Sequence, residues 1–199
     1  MAWTRVLSSR GAALVDLVFS CGVVCVLAGI AIPTIHAARD RDTARMAARF
    51  LANRLQSARY ESLKRNACVA IRFDPVDIGR FGVYIDGDGD GVLQADIDAA
   101  IDVALNPENR LADFFGTIAF RIPREIPDPD GSSTLAAGSD PIRLGSSNFL
   151  SFSPIGSATS GTIYLAGPEG SQTAVRVMGA TGRMRVLLFD LASRTWREE

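Results

Sequence analysis

The chain has 199 residues, 47% of them hydrophobic and 22% charged, with a mean hydropathy of +0.15 and a net charge of -1. That is too apolar for a disordered chain, and it carries no global basic field that would mark a nucleic-acid protein. One histidine, His36, excludes most imidazole-based catalysis, and three cysteines, two of them inside an apolar run, exclude a disulfide framework.

Residues 1–11, MAWTRVLSSRG, contain Arg5 and Arg10 and no acid. An apolar run follows over 12–35, and its only charge is Asp16. From Leu17 to Ile35 there is no charge at all, a stretch long enough to cross a bilayer core as a helix. No A-x-A signal cleavage site occurs in 12–38, and Ile35-His36-Ala37 is a poor substitute, so the run predicts a membrane-inserted helix and not a cleaved secretory signal. Asp16 stands out, because a carboxylate in a membrane helix is costly and normally has a partner. It either reaches the headgroups from near the helix start or pairs with a cation on a neighbouring subunit. The charges flanking the run, Arg5 and Arg10 on one side and Arg39, Arg41, Arg45 and Arg49 against Asp40 and Asp42 on the other, do not set an orientation.

These features resemble the start of type IV prepilins and type II secretion pseudopilins: a short basic leader ending in Gly11, an apolar helix, an acid five residues later and Pro33 further on. The resemblance implies cleavage between Gly11 and Ala12 by a prepilin peptidase and methylation of Ala12. It also implies a helix that sits in the inner membrane and later in a filament, with Asp16 neutralising the amino terminus of an adjacent subunit. Ala12 stands where the family prefers Phe, and Asp16 is one methylene shorter than the usual Glu.

Residues 36–66 continue as an amphipathic helix. Ala47, Leu51, Leu55, Ala58 and Ser62 recur at spacings of three and four, with Met46 and Phe50 beside them. Arg39, Arg41, Arg45, Arg49, Arg54, Arg59, Lys64 and Arg65 supply the wet side, and Asn66 ends the helix. The period then changes to two. Val69, Ile71 and Phe73, and then Phe81, Val83 and Ile85, alternate as strands; further strands are expected at Thr117–Ile122, Phe149–Ser153, Thr162–Ala166, Thr173–Met178 and Arg183–Phe189. With no helices between them they predict antiparallel sheet. The fold class is therefore α+β: a long N-terminal helix packed on an antiparallel β-rich body spanning 67–199.

Within that body, Ser151, Phe152, Pro154, Gly156 and Gly161, followed by Gly182 and Arg183, resemble the strand-turn-strand ending of the GspH/FimT group of minor pseudopilins. This adds a pilin-like fold, a periplasmic body and pilin or pseudopilin partners to what the leader implies. No enzyme motif is present: no HExxH, P-loop, G-x-S-x-G or GxGxxG. The expectation is a structural subunit that acts on no small molecule and needs no cofactor.

Two local signals remain. Asp86, Asp88 and Asp90 alternate with glycines as in the first half of a calcium loop, and seven acids with no base lie between Arg80 and Arg110. The twelfth position is Ile97 where a bidentate Glu should close the loop, with Asp96 or Asp98 as substitutes. The segment is thus a candidate Ca²⁺ site formed by Asp86, Asp88, Asp90 and Asp96, or a hairpin turn of solvated aspartates. The second signal is Arg183 and Arg185, two apart on one strand face, with Arg176 on the preceding strand. Their Gly-Arg-x-Arg pattern resembles the DNA-contacting end of the competence-type FimT branch. The alternatives are DNA binding and an ordinary exposed strand face.

Overall fold

The computed structural model describes residues 9–199 apart from 78, 132 and 146, with side chains from Leu14 onward. Most of the expected leader, residues 1–8, lies outside the described residues. One helix, α1 (Ser9–Arg65), carries Pro33 in its interior. It is followed by β1 (Val69–Phe73), β2 (Arg80–Ile85), a short α2 (Gln94–Asp98), β3 (Val103–Ala104), β4 (Asn109–Arg110) and a short α3 (Leu111–Phe115). Then come β5 (Ala119–Phe120), β6 (Ile126–Pro127), β7 (Thr134–Leu135), β8 (Ile142–Arg143) and β9 (Phe149–Phe152). The chain ends with β10 (Gly161–Ala166), β11 (Gln172–Met178), β12 (Arg183–Asp190) and β13 (Thr195–Glu198).

The molecule divides into two compact units, residues 1–39 and 40–199. Among its described residues the first is helix alone. Its large apolar side chains stand in the open: Phe19 is 70% exposed and Val15, Leu17, Val24, Leu27 and Ile30 all exceed 60%. A helix this apolar with nothing over it is long and apolar enough to cross a membrane, with a mean hydropathy of 2.4 over its best window.

The second unit holds the core. Helical period places Ala44, Ala47, Ala48, Leu51, Leu55, Ala58 and Ser62 on one stripe of α1, and all are buried. Small alanines along the stripe let the helix lie close to two antiparallel sheets. One runs β3-β2-β1-β9, with β4 also paired to β2; the other runs β13-β12-β11-β10-β5, with β8 also paired to β10. Val69, Ile71, Phe73, Phe81, Val83, Leu150 and Phe152 of the first sheet join Ile163, Leu165, Val175 and Val177 of the second in a single core against the helix. Phe120 of β5 sits edge-on to Phe73 at 5.7 Å and stitches the sheets together.

Asp40 continues the same stripe four residues before Ala44, and it too is buried. Its carboxylate accepts the Ser171 N–H at 3.1 Å, and its carbonyl accepts the Ser171 hydroxyl at 3.3 Å. A Cβ at Gly167 would run into that carboxylate, so the β10–β11 turn must carry glycine there. The sequence counted Asp40 only among the charges flanking the apolar run; its position on the buried period assigns it to fastening α1 onto the second sheet.

Several expectations are corrected. The strand expected over Thr117–Ile122 is reduced to Ala119–Phe120, because only those residues pair, with Ala166 and Leu165 of β10. The edge strand β13 was not anticipated; it pairs with β12 and is followed by Glu199, whose carboxylate is ion-paired to Arg45 and Arg49 on α1. Arg59, expected on the wet side, is half-buried, and it packs beside Gly182, where φ is +59° and a Cβ would meet its Nε.

Candidate functional site

Three features could carry function, and each is built by a different part of the chain. The first is the exposed apolar helix. Gly11 and Ala12 fall within α1, and nothing beyond their backbone is described. Asp16 is exposed one turn further on, flanked by Val15, Leu17, Val18 and Phe19, each at least 63% exposed. Among the described residues from Leu14 to Ile35, Asp16 is the only charged side chain, and a carboxylate at membrane depth normally has a partner. Pro33 removes one helical N–H, and the Thr34 hydroxyl donates to the Ile30 carbonyl at 2.8 Å. Cys21 and Cys25 are free thiols on the same exposed helix.

The second feature is the acidic loop between β2 and β3. Asp86 accepts backbone N–H bonds from Asp88, Gly89 and Gly91 at 3.2, 2.7 and 3.0 Å. Asp102, which the sequence pattern did not single out, is buried and accepts from Gly87 and Leu93 at 3.0 and 2.9 Å. These two carboxylates organise the loop through its own amides. Ile97, at the position where a calcium loop would place its closing Glu, packs with Val92 against Ala70, Tyr84 and Phe149 on the outer face of the first sheet. That position is occupied by packing. The residues that could hold a hard divalent cation form two groups, Asp86 with Asp88 and Asp102, and Asp88 with Asp90 and Asp96, with carboxylate oxygens within 4.8 Å of one another in each.

Local desolvation and then the Asp88 carboxylate push Asp90 above the usual aspartate range; desolvation and then Asp88 do the same to Asp96. A folded carboxylate with a raised pKa binds its proton more readily than the unfolded chain does. Its contribution to stability is therefore greatest at low pH and declines as pH rises through that window. Asp90→Asn is accordingly expected to raise the melting temperature at about pH 7 and to bring a shrinking gain toward pH 4, read by thermal melts across that range. Burial, and then the charge of Asp86, push the Cys68 thiol up and keep it protonated.

The third feature is the outer face of the second sheet. Register sets Arg143 opposite Thr162, Thr162 opposite Arg176, and Arg176 opposite Arg185 on four neighbouring strands. Three arginines thus line up across the sheet, and Arg183 opposite Met178 adds a fourth in the next row. Alternation had placed Arg183 and Arg185 on one face, but Arg143 was missed, because a two-residue strand has no period to read. Toward the other end of this face a second small core, Ile122, Ile126, Leu135, Tyr164, Ala174 and Leu187, is roofed by the β6–β7 hairpin and by Trp196. Burial, with the Asp128 charge behind it, holds the Tyr164 phenol protonated well above its ordinary range. Arg176 is ion-paired to Asp130 from that hairpin, and its Nη1 donates to the Thr162 hydroxyl at 2.9 Å. Arg183 and Arg185 face Glu198 at 3.8 and 3.5 Å.

The family model of the type II transport protein GspH matches residues 47–182, which take in the buried stripe of α1 from Ala47 onward and both sheets as far as the Gly182 turn. The chain belongs to the GspH family. The GspH-family match agrees with the resemblance carried by the leader, Ser151–Gly161 and Gly182–Arg183, and makes the chain a minor pseudopilin of the GspH/FimT type. Among solved structures, the GspH-family chain is similar to the type IV minor pilin FimU of Pseudomonas aeruginosa strain PAO1, with 16% identity over 80% of this chain and 90% of that one and a TM-score of 0.35. It is also similar to the minor pseudopilin EPSH from the type II secretion system of Vibrio cholerae, with 13% identity over 79% of this chain and 94% of that one and a TM-score of 0.39. No curated protein matches it.

Proposed function

We propose that this GspH-family chain is a structural subunit of a type II secretion pseudopilus or type IV pilus, assembled through its N-terminal helix. The observation that carries this is the family match to the body combined with an adjoining helix whose apolar side chains are all left uncovered. Residues 1–11 form the leader, cut after Gly11 by a prepilin peptidase, and Ala12 becomes the methylated N-terminus. Residues 12–35 hold the subunit in the inner membrane, 36–66 carry it into the body, and 67–199 face the periplasm. On assembly the helix moves from lipid to a bundle of like helices, and Asp16 meets the amino terminus of a neighbour. Pairing makes both charges less costly to bury. The work is packing, with no catalytic step, cofactor or small-molecule substrate.

The experiment is to map the N-terminus of the protein from cells with and without prepilin peptidase. The expected result is a chain beginning at methylated Ala12 with the peptidase and at residue 1 without it. An intact 1–11 segment in peptidase-positive cells would overturn the filament reading.

A second reading rests on the arginine line. Arg143, Arg176 and Arg185 in register, with Arg183 alongside, present a straight row of guanidinium forks, and such forks pair with phosphate oxygens. In that reading the subunit captures DNA at the surface of a filament.

A further inference from the structure

We propose that the β6–β7 hairpin is a built-in competitor on the arginine row, with Asp130 taking the Arg176 fork that a single-stranded DNA phosphate would otherwise occupy. The proposal rests on the DNA-capture reading and adds to it an internal brake and a further contact residue, Arg143.

Adjacent strands are about 4.8 Å apart, so Arg143 to Arg185 spans about 14 Å across the sheet. A linear polyanion can follow a row of that length, whereas a single carboxylate fills only one fork. The two ends of the row are weakly engaged. Arg143 is exposed and has no ion-pair partner among the described residues. Arg185 is held to Glu198 only at 3.5 Å. The middle is occupied, since Asp130 is ion-paired to Arg176.

The hairpin is built so that this contact can open alone. Ile126 and Leu135 are buried in the small core, and the Trp196 indole N–H donates to the Pro127 carbonyl at 2.7 Å. These hold the base of the hairpin. The tip is a tight turn, in which the Gly131 N–H is bonded to the Asp128 carbonyl at 2.8 Å. The Asp130 side chain there is 49% exposed. A phosphate and a carboxylate bind a guanidinium through the same paired N–H groups, so they exclude each other at Arg176. The hairpin therefore sets a threshold: a single anion competes poorly with a tethered carboxylate, while a polyanion that also engages Arg143 and Arg185 displaces it.

The test is a titration of a fluorescent single-stranded oligonucleotide with the full chain in nonionic detergent at two salt concentrations. Wild type, Asp130→Asn and Arg143→Gln/Arg185→Gln are compared, and circular dichroism melts check that each is folded. Asp130→Asn is expected to bind about 2–5-fold more tightly than wild type, matching the loss of one partly exposed ion pair. The double arginine variant is expected to bind weakly. With three phosphates engaged, the log–log salt slope for Asp130→Asn should be about -2. Equal affinity of Asp130→Asn and wild type, with loss in the arginine variant, would remove the brake and leave DNA capture standing. Absence of binding by all three at low salt would overturn both. Displacement of the oligonucleotide by an acidic peptide at equal charge concentration would reassign the row to carboxylates and overturn the nucleic-acid assignment.

Discussion

Leu51→Ala is expected to destabilise the body by about 2–5 kcal/mol. Leu51 is fully buried in the centre of the helical stripe, between Ala47 and Ala48 on one side and Leu55 on the other. It belongs to the core formed by the helix and both sheets. Truncation removes its transfer energy and leaves a cavity that neither sheet can close without breaking its own ladder. A domain of this size has a total stability of about 5–15 kcal/mol, so one residue accounts for a large fraction. The melting temperature should fall by on the order of 10 °C, read by circular dichroism on residues 40–199, the unit that contains the core. Met46→Ala is the control, since Met46 is 52% exposed and its loss should shift the midpoint little. A Leu51→Ala chain that melts with wild type would mean that the helix is not packed on the sheets in solution.

The helix stripe was legible because helical period is written directly into Ala47, Leu51, Leu55, Ala58 and Ser62, all of which are buried. The longer strands were legible for the same kind of reason: Val69, Ile71 and Phe73 alternate against Ala70 and Arg72, and Ile163 and Leu165 against Tyr164. The stretch 86–148 was not. It contains six two-residue strands, β3 to β8, and two five-residue helices, all too short to carry a period. β3, β4, β5 and β8 are placed by pairing to β2 and β10, and β6 and β7 pair with each other, all of it information that no local period carries. The arginine row illustrates the limit. Alternation puts Arg183 and Arg185 on one face, but only register brings Arg143 and Arg176 into line with them, and only the fold of 121–140 delivers Asp130. Asp40 is the converse case: it lies on the readable stripe but was counted only as a charge flanking the apolar run, and its buried partner Ser171 comes from the fold.

Asp16→Ala is expected to insert in the membrane and to fold normally, yet to be nearly absent from filaments. The body lies entirely in residues 40–199, so nothing in its core changes. Insertion improves, because a charged residue in a membrane helix costs about 2.5–3.5 kcal/mol on insertion scales and alanine does not. Assembly suffers for the opposite reason. On the processing proposed above, the Ala12 amino group would be a cation that enters the helix bundle with each new subunit, and it would need a carboxylate there. Leaving it unpaired costs about 3–5 kcal/mol, roughly two to four powers of ten in the occupancy of the assembled state. Asp16→Asn should behave like Asp16→Ala, since an amide cannot neutralise the amine. Asp16→Glu restores the charge with one more methylene of reach and should assemble at least as well as wild type. The measurement is the ratio of subunit in sheared filaments to subunit left in membranes, by immunoblot, with all variants processed equally by the peptidase. Wild-type incorporation of Asp16→Ala would show that helix packing alone drives assembly and that the carboxylate serves only to hold the helix start at the headgroups.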